Sequence, residues 1–125
     1  MPAPLDTLTS RLTQAQQATR VAGLDALLVT PSSDLRYLLG VASASHERLT
    51  CLVLPADGDP VLVVPELERP GLDGTRVPGL GLEIAEWADG DDPYALIANL
   101  LRRADQVPAR AGVGDAMPAA HVLRL

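Results

Sequence analysis

Residues 25–65, DALLVTPSSDLRYLLGVASASHERLTCLVLPADGDPVLVVP, decide the fold because they encode a strand, a short helix and two further strands in close succession. The continuous apolar run at residues 26–29 is typical of a strand that is covered on both faces. Residues 32–34 then offer side-chain oxygens that can cap a helix at residues 35–39. Gly40 can end this helix because glycine readily adopts a left-handed backbone conformation.

The second half of this stretch predicts a β-hairpin. Apolar runs at residues 50–54 and 61–64 are separated by a short polar segment that contains Asp57 and Gly58. An Asp-Gly pair between two apolar runs is typical of hairpin turns, because glycine supplies the positive backbone dihedral that such turns require. We therefore predict that these two strands pair in an antiparallel manner.

The rest of the chain extends this alternation of helices and strands. Apolar residues recur at helical spacing in residues 5–22 and 94–104, which predicts one amphipathic helix in each segment. The other predicted elements are a loop at 66–81 with one helical turn at 66–68, strands at 82–87 and 111–114, and a helix beginning at 117. We predict an α/β fold of three layers, α/β/α, in which a mixed sheet contains the hairpin, within a single domain spanning residues 1–125.

Composition narrows the class of protein. The chain has 125 residues, 47% of them hydrophobic and 21% charged, as expected for a globular domain. The net charge is −6, and the ten arginines are scattered along the chain instead of forming a basic patch. Both features argue against nucleic acid as a partner. No apolar run approaches the roughly 20 residues that cross a bilayer, and no secretory leader is recognisable. These features predict a soluble cytoplasmic protein with no membrane partner.

Few side chains in the sequence are suited to catalysis or metal binding. The single cysteine, Cys51, lies within an apolar run and is expected to be a buried hydrophobic residue. The two histidines, His46 and His121, have no partner at a spacing typical of metal ligands. Ser45, His46 and Glu47 are adjacent, and adjacent residues cannot normally aim at one another as a catalytic triad must. We predict neither catalytic residues nor metal ligands in this chain.

Two further groups of residues resemble ligand-binding loops only superficially. Paired glycines follow predicted strands but lack the spacing of phosphate-binding loops, and three clustered aspartates lack the glutamate that completes a calcium loop. Flexible turns explain the glycines, and helix capping explains the aspartates. The residues concerned are Gly79, Gly81, Gly112, Gly114, Asp89, Asp91 and Asp92.

A family resemblance covers roughly residues 8–125. The segment DLRYLLG at residues 34–40 is similar to the asparagine-isoleucine-arginine-tyrosine-leucine-threonine-glycine segment of the creatinase, prolidase and aminopeptidase P family. The hairpin that follows is similar as well, and the chain resembles the N-terminal domain of that family. Asp34, Leu39 and Val41 depart from the family's usual asparagine, threonine and phenylalanine, although aspartate caps a helix as well as asparagine does.

The resemblance implies a fold and an activity for the parent protein. The implied fold is that of a creatinase N-terminal domain, with a ribonuclease H-like motif. Family members place this domain ahead of a catalytic domain of pita-bread fold, which is absent from this chain. That catalytic domain holds two divalent metal ions, expected to be manganese, cobalt or zinc, and cleaves peptides before proline or hydrolyses creatine.

The resemblance also implies a role for three residues of this chain. Family members are commonly homodimers in which residues of the N-terminal domain reach a proline-containing peptide substrate in the other subunit. The residues expected to do so are His46 and Arg48, with Tyr37 as a further candidate. Arg48 can pair bidentately with a substrate carboxylate. The alternatives are that Arg48 binds a local acid such as Glu47 and that Tyr37 is a core or interface aromatic.

Three hypotheses about function follow. The first is a non-catalytic N-terminal domain of a Xaa-Pro dipeptidase or aminopeptidase, which supplies subunit contacts and limits access of the substrate. The second is a stand-alone module on the same fold that binds a small ligand or a protein without any peptidase partner. The third is a nucleotide-binding protein of flavodoxin-like design, which would require phosphate-binding turns that the sequence lacks.

Overall fold

The predicted hairpin lies inside a five-stranded mixed sheet. The computed structural model describes residues 3–41, 47–102 and 110–125. Its elements in chain order are α1 (Leu5–Val21), β1 (Ala26–Val29), α2 (Ser33–Leu39), β2 (Cys51–Pro55), β3 (Val61–Pro65), two 3-10 helices (Glu66–Leu72 and Val77–Leu80), β4 (Glu83–Trp87), α3 (Pro93–Leu101), β5 (Ala111–Val113) and α4 (Ala119–Val122).

The strand order is β4-β3-β2-β1-β5. The central strand β2 is antiparallel to both β1 and β3, while β4 runs parallel to β3 and β5 parallel to β1. Consequently β1, β3, β4 and β5 all finish at the same end of the sheet, where β2 begins. We call this the carboxyl end of the sheet. The antiparallel central strand does not fit the parallel sheet of a flavodoxin-like nucleotide-binding protein.

Both faces of the sheet are buried, which confirms the three-layer α/β/α prediction. Alternate strand residues point to opposite faces, as strand geometry requires. One face packs against α1 and α2 and the other against α3. The strand residues on the first face are Val29, Leu52, Leu54, Leu62 and Val64, and those on the second are Leu28, Cys51, Val53, Val61 and Val63.

Local capping chemistry sets several of the element boundaries. The Ser32 hydroxyl accepts a hydrogen bond from the Leu35 amide at 3.3 Å and starts α2. Gly40 ends the same helix with a φ of 74°. In the hairpin turn, Gly58 has a φ of 126°, so the positive dihedral predicted from the sequence is confirmed.

The structure differs from the sequence-based expectation in two connecting segments. Residues 66–81 form two 3-10 helices instead of a loop with one helical turn. Their prolines, Pro70 and Pro78, lack the amide donors that a longer α-helix requires, which favours short 3-10 turns. The C-terminal helix α4 has only four residues. The predicted end of α3 at Ala104 lies outside the described residues.

Candidate functional site

Polar side chains gather at the carboxyl end of the sheet. Arg48 lies just before β2, and Asp89 lies just after β4. The Nε and Nη2 atoms of Arg48 donate hydrogen bonds to the Oδ1 and Oδ2 atoms of Asp89, both at 2.9 Å. The pair is solvent-accessible, since the two side chains are 44% and 63% exposed. Arg48 therefore makes a bidentate ion pair across the end of the sheet.

The two residues after Arg48 are also bound to segments that leave this end of the sheet. The carbonyl of Leu49 accepts a hydrogen bond from the indole Nε1 of Trp87 at 2.9 Å. The hydroxyl of Thr50 donates to the Glu68 carboxylate at 3.3 Å. Each of residues 48–50 thus contacts a residue that lies just after β3, at the end of β4 or just after β4. These contacts fix the backbone that carries Arg48.

A tight turn at residues 88–92 holds Asp89. The Asp91 carboxylate accepts a hydrogen bond from the Ala88 amide at 2.9 Å, and the Asp91 amide donates to the Ala88 carbonyl at 3.0 Å. Asp92 caps α3 by accepting from the amides of its first turn. The capping role predicted for the aspartate cluster is confirmed for Asp92, whereas Asp91 closes the turn and Asp89 binds Arg48.

Arg48 and Asp89 stabilise each other in the charged form. The hydrogen bond and the charge of Asp89 raise the pKa of Arg48, with smaller contributions from Glu68 and Glu47. In return, the hydrogen bond from Arg48 lowers the pKa of Asp89 below its usual range. Both partners are therefore charged at neutral pH, and the pair persists until the pH falls through the lowered pKa of Asp89.

Arg48 does bind an acid within this chain, but the acid is Asp89 and not the adjacent Glu47. The two residues are 41 positions apart, so their pairing depends on the topology of the sheet. His46, the predicted companion of Arg48 in substrate binding, lies outside the described residues. A role for either residue in substrate binding stays a prediction.

Tyr37 lies in a different part of the molecule. It is on α2, and its side chain is 52% exposed. The Arg11 guanidinium from α1 lies 4.1 Å from the centre of the Tyr37 ring and donates to the Tyr37 carbonyl at 2.9 Å. The structure therefore places Tyr37 in a contact with α1 and not in the network of Arg48. Its exposure makes it available to an interface.

Cys51 and His121 have structural roles, whereas Ser45, like His46, lies outside the described residues. Burial raises the pKa of the Cys51 thiol to about 12, which keeps the thiol protonated and unreactive. His121 is 5% exposed, and its Nδ1 lies 2.6 Å from the Tyr94 hydroxyl, so this contact joins α4 to α3. Among the described residues, no three His, Cys, Asp or Glu side chains form a group that could hold a metal ion.

Two of the glycines considered for phosphate binding are explained by packing instead of by flexibility. A Cβ atom at Gly79 would lie 2.9 Å from the Leu5 side chain, and one at Gly112 would lie 2.9 Å from the Leu24 side chain. A side chain at either position would force Leu5 or Leu24 to shift, so close packing accounts for both glycines. Neither glycine indicates a phosphate site.

The chain matches a known domain family over most of its length. The Creatinase/Prolidase N-terminal domain family matches residues 11–125. The probable dipeptidase PepE of Mycobacterium tuberculosis is 47% identical over 115 residues, which are 92% of this chain and 30% of that protein. An uncharacterized peptidase of Staphylococcus aureus is 29% identical over 79 residues, covering 63% of this chain and 22% of its own length.

Solved structures have the same fold. Dipeptidase PepE from Mycobacterium ulcerans superposes with a TM-score of 0.87 at 41% identity, over 98% of this chain and 32% of that chain. The N-terminal domain of a Xaa-Pro dipeptidase from Lactobacillus brevis superposes with a TM-score of 0.81 at 24% identity, over 92% of this chain and 84% of that chain. At this level of identity, the similarity supports the fold alone. The chain spans about 30% of the length of the mycobacterial dipeptidases that it matches. It therefore belongs to the Creatinase/Prolidase N-terminal domain family, as the sequence resemblance implied.

Proposed function

We propose that this chain is the non-catalytic N-terminal domain of a Xaa-Pro dipeptidase-type metallopeptidase, in which it supplies subunit contacts and limits access of substrate to the active site. The observation that carries the proposal is the 47% identity, over 92% of the chain, to a probable dipeptidase that is about three times as long. The remaining part of such a protein would carry the peptidase chemistry.

The metal centre of the proposed enzyme does not fit the residues of this chain. A two-metal hydrolase needs several carboxylates and at least one histidine that converge on a pair of ions. The described side chains form no such group. We therefore assign the two divalent ions, manganese, cobalt or zinc, to a catalytic domain outside this chain, and we assign no catalytic step to the residues described above.

Arg48 is the residue of this chain best suited to contact a peptide substrate. It is exposed at the carboxyl end of the sheet, it is charged, and the backbone around it is fixed by the contacts of Leu49 and Thr50. In a homodimer, this end of the domain would face the active site of the neighbouring subunit, where His46 and Arg48 would bind the carboxylate of a proline-containing peptide. Tyr37 and Arg11 would belong to a subunit contact, because tyrosine and arginine are enriched in interfaces.

Steady-state kinetics of the full-length peptidase test this role. Replacing Arg48 by alanine should raise KM for a Xaa-Pro dipeptide by about tenfold, because a charge-assisted contact to the substrate is lost. The matched control is Arg69→Ala, which removes a partly exposed arginine that is paired with Asp73 and with Glu86 on β4. Unaltered kinetics in both Arg48→Ala and His46→Ala would leave the domain with a purely structural role.

A further inference from the structure

Asp89 occupies only one edge of the Arg48 guanidinium. An arginine has five N–H donors in a rigid, planar arrangement. Asp89 accepts from Nε and from Nη2, which accounts for two of them. No other acceptor for Arg48 is present in the described ranges of the chain. The second Nη2 hydrogen and both Nη1 hydrogens therefore have no acceptor among the described residues, and this edge has the geometry that binds a carboxylate bidentately.

The position of that free edge is set by two rigid supports. On one side, the turn at residues 88–92 fixes Asp89 through the Ala88–Asp91 hydrogen bonds and the Asp92 cap of α3. On the other side, the Trp87–Leu49 hydrogen bond fixes the backbone next to Arg48. A long and exposed arginine side chain would otherwise sample many rotamers, and binding a ligand would require it to be ordered first.

We propose that Asp89 is a positioning residue, which holds the Arg48 guanidinium by its Nε–Nη2 edge so that the opposite edge receives the carboxylate of a peptide substrate. This inference rests on the proposed function of Arg48 as a substrate contact. Asp89 itself does not touch the substrate. It contributes to affinity because Arg48 is already oriented when the substrate arrives.

A rival role for Asp89 makes the opposite prediction. If Asp89 competed with the substrate for the same edge of Arg48, removing its charge would release the guanidinium and lower KM. The side-on geometry argues against competition, because the two carboxylates would use different donors of the guanidinium. The two roles are therefore distinguished by the sign of the change in KM.

The experiment is a kinetic comparison of the full-length peptidase and its Asp89→Asn variant, with a Xaa-Pro dipeptide as substrate. We expect KM to rise about three- to tenfold while kcat changes by less than about twofold, because a binding contact is weakened in the ground state and transition state alike. Asp89→Glu, which keeps the charge, should recover part of the affinity. A loss that came only from unfolding would reduce kcat through the amount of active enzyme and would leave KM unchanged.

The control is Asp57→Asn, which removes the same charge from the hairpin turn at the opposite end of the sheet. It should leave KM unchanged. A KM that is unaltered or lowered in Asp89→Asn, while Arg48→Ala raises it, overturns the positioning role alone. An unaltered KM in Arg48→Ala overturns the substrate contact itself, and the positioning role with it.

Discussion

The Cys51 thiol is fully buried in β2, on the face of the sheet that α3 covers. Because burial raises its pKa to about 12, the reactive thiolate is scarce at about pH 8, where labelling reactions are ordinarily run. We expect the folded protein to resist a thiol reagent and to react fully once a denaturant is added. The absorbance change on reaction with an aromatic disulfide measures this. Rapid labelling of the folded protein would show that β2 opens or that Cys51 does not lie on the face that α3 covers.

Residue-level features could be predicted from the sequence where the interaction is local. Ser32, Gly40 and Asp92 each cap a helix that lies within a few positions in the sequence. The neighbouring residues are therefore enough to predict their capping roles. Asp89 belongs to the same aspartate cluster as Asp92, yet its partner is 41 residues away. Nothing in the spacing of the two residues indicates that pairing, because it depends on which strands end together.

At the level of elements, the buried strands should be the most sensitive to truncation. Leu28 in β1 and Val53 in β2 are direct cross-strand partners, and their side chains are 3% and 1% exposed. Replacing either by alanine removes buried methyl groups and leaves a cavity beneath α3. We expect each change to lower the free energy of unfolding by about 2 to 4 kcal/mol. Chemical denaturation followed by circular dichroism measures the effect.

Val113 supplies the control for these truncations. It lies in the edge strand β5 and is 41% exposed, so Val113→Ala should cost less than about 0.5 kcal/mol. Because Leu28 and Val53 touch the same space, the cost of the double variant should differ from the sum of the two single costs. Near-neutral effects of both single changes would mean that the strands are assigned wrongly.

The hairpin between β2 and β3 depends on the backbone conformation of Gly58. Its φ of 126° is strained for any residue with a Cβ atom, although the space around it is sufficient, since a Cβ added there would lie 3.8 Å from its nearest neighbour, the Pro55 side chain. Gly58→Val should therefore destabilise the protein by about 1 to 3 kcal/mol through the backbone alone. Gly74→Val is the matched control, because Gly74 has neither a positive φ nor a close neighbour. Equal stabilities of the two variants in thermal unfolding would contradict this account.

Long-range supports of the hairpin were beyond sequence-based prediction. The Gln16 side chain on α1 donates to the carbonyls of Pro55 and Gly58 at 2.9 and 2.8 Å. Arg20 on the same helix donates to the Ala56 carbonyl. In the sequence these two residues belong to the polar face of an amphipathic helix, for which solvent exposure is the ordinary expectation. Their contacts with the turn follow from the packing of α1 across the sheet.

At the scale of the whole molecule, the layers could be predicted because the pattern of apolar residues indicates which faces of each element are buried. The apolar runs that form β1, β2 and β3 are covered on both faces, as continuous runs predict. No comparable sequence pattern indicates the order of the strands. That order brings Arg48, Trp87 and Asp89 to one end of the sheet. The residues of the candidate site could therefore be predicted only from the family resemblance. The contacts among them could not be predicted, because they depend on the topology of the sheet.

As an isolated protein, the chain should lack both a metal centre and peptidase activity. We expect residues 1–125 to bind no manganese or cobalt tightly and to cleave no Xaa-Pro dipeptide, because the ligand set of a two-metal centre is missing. The described residues form no metal-binding group, and the remaining positions add only one histidine and one aspartate, His46 and Asp105. Metal titration in a calorimeter and an assay of released proline check both parts, after circular dichroism has verified that the isolated chain folds.

The positive control is the full-length peptidase under the same conditions, which should release proline and lose that activity with a chelator. Turnover that co-purifies with residues 1–125 and disappears with a chelator would place the metal centre within this chain. The metal centre would then consist of side chains that do not converge in the described structure. The fold would therefore have to rearrange around the ions.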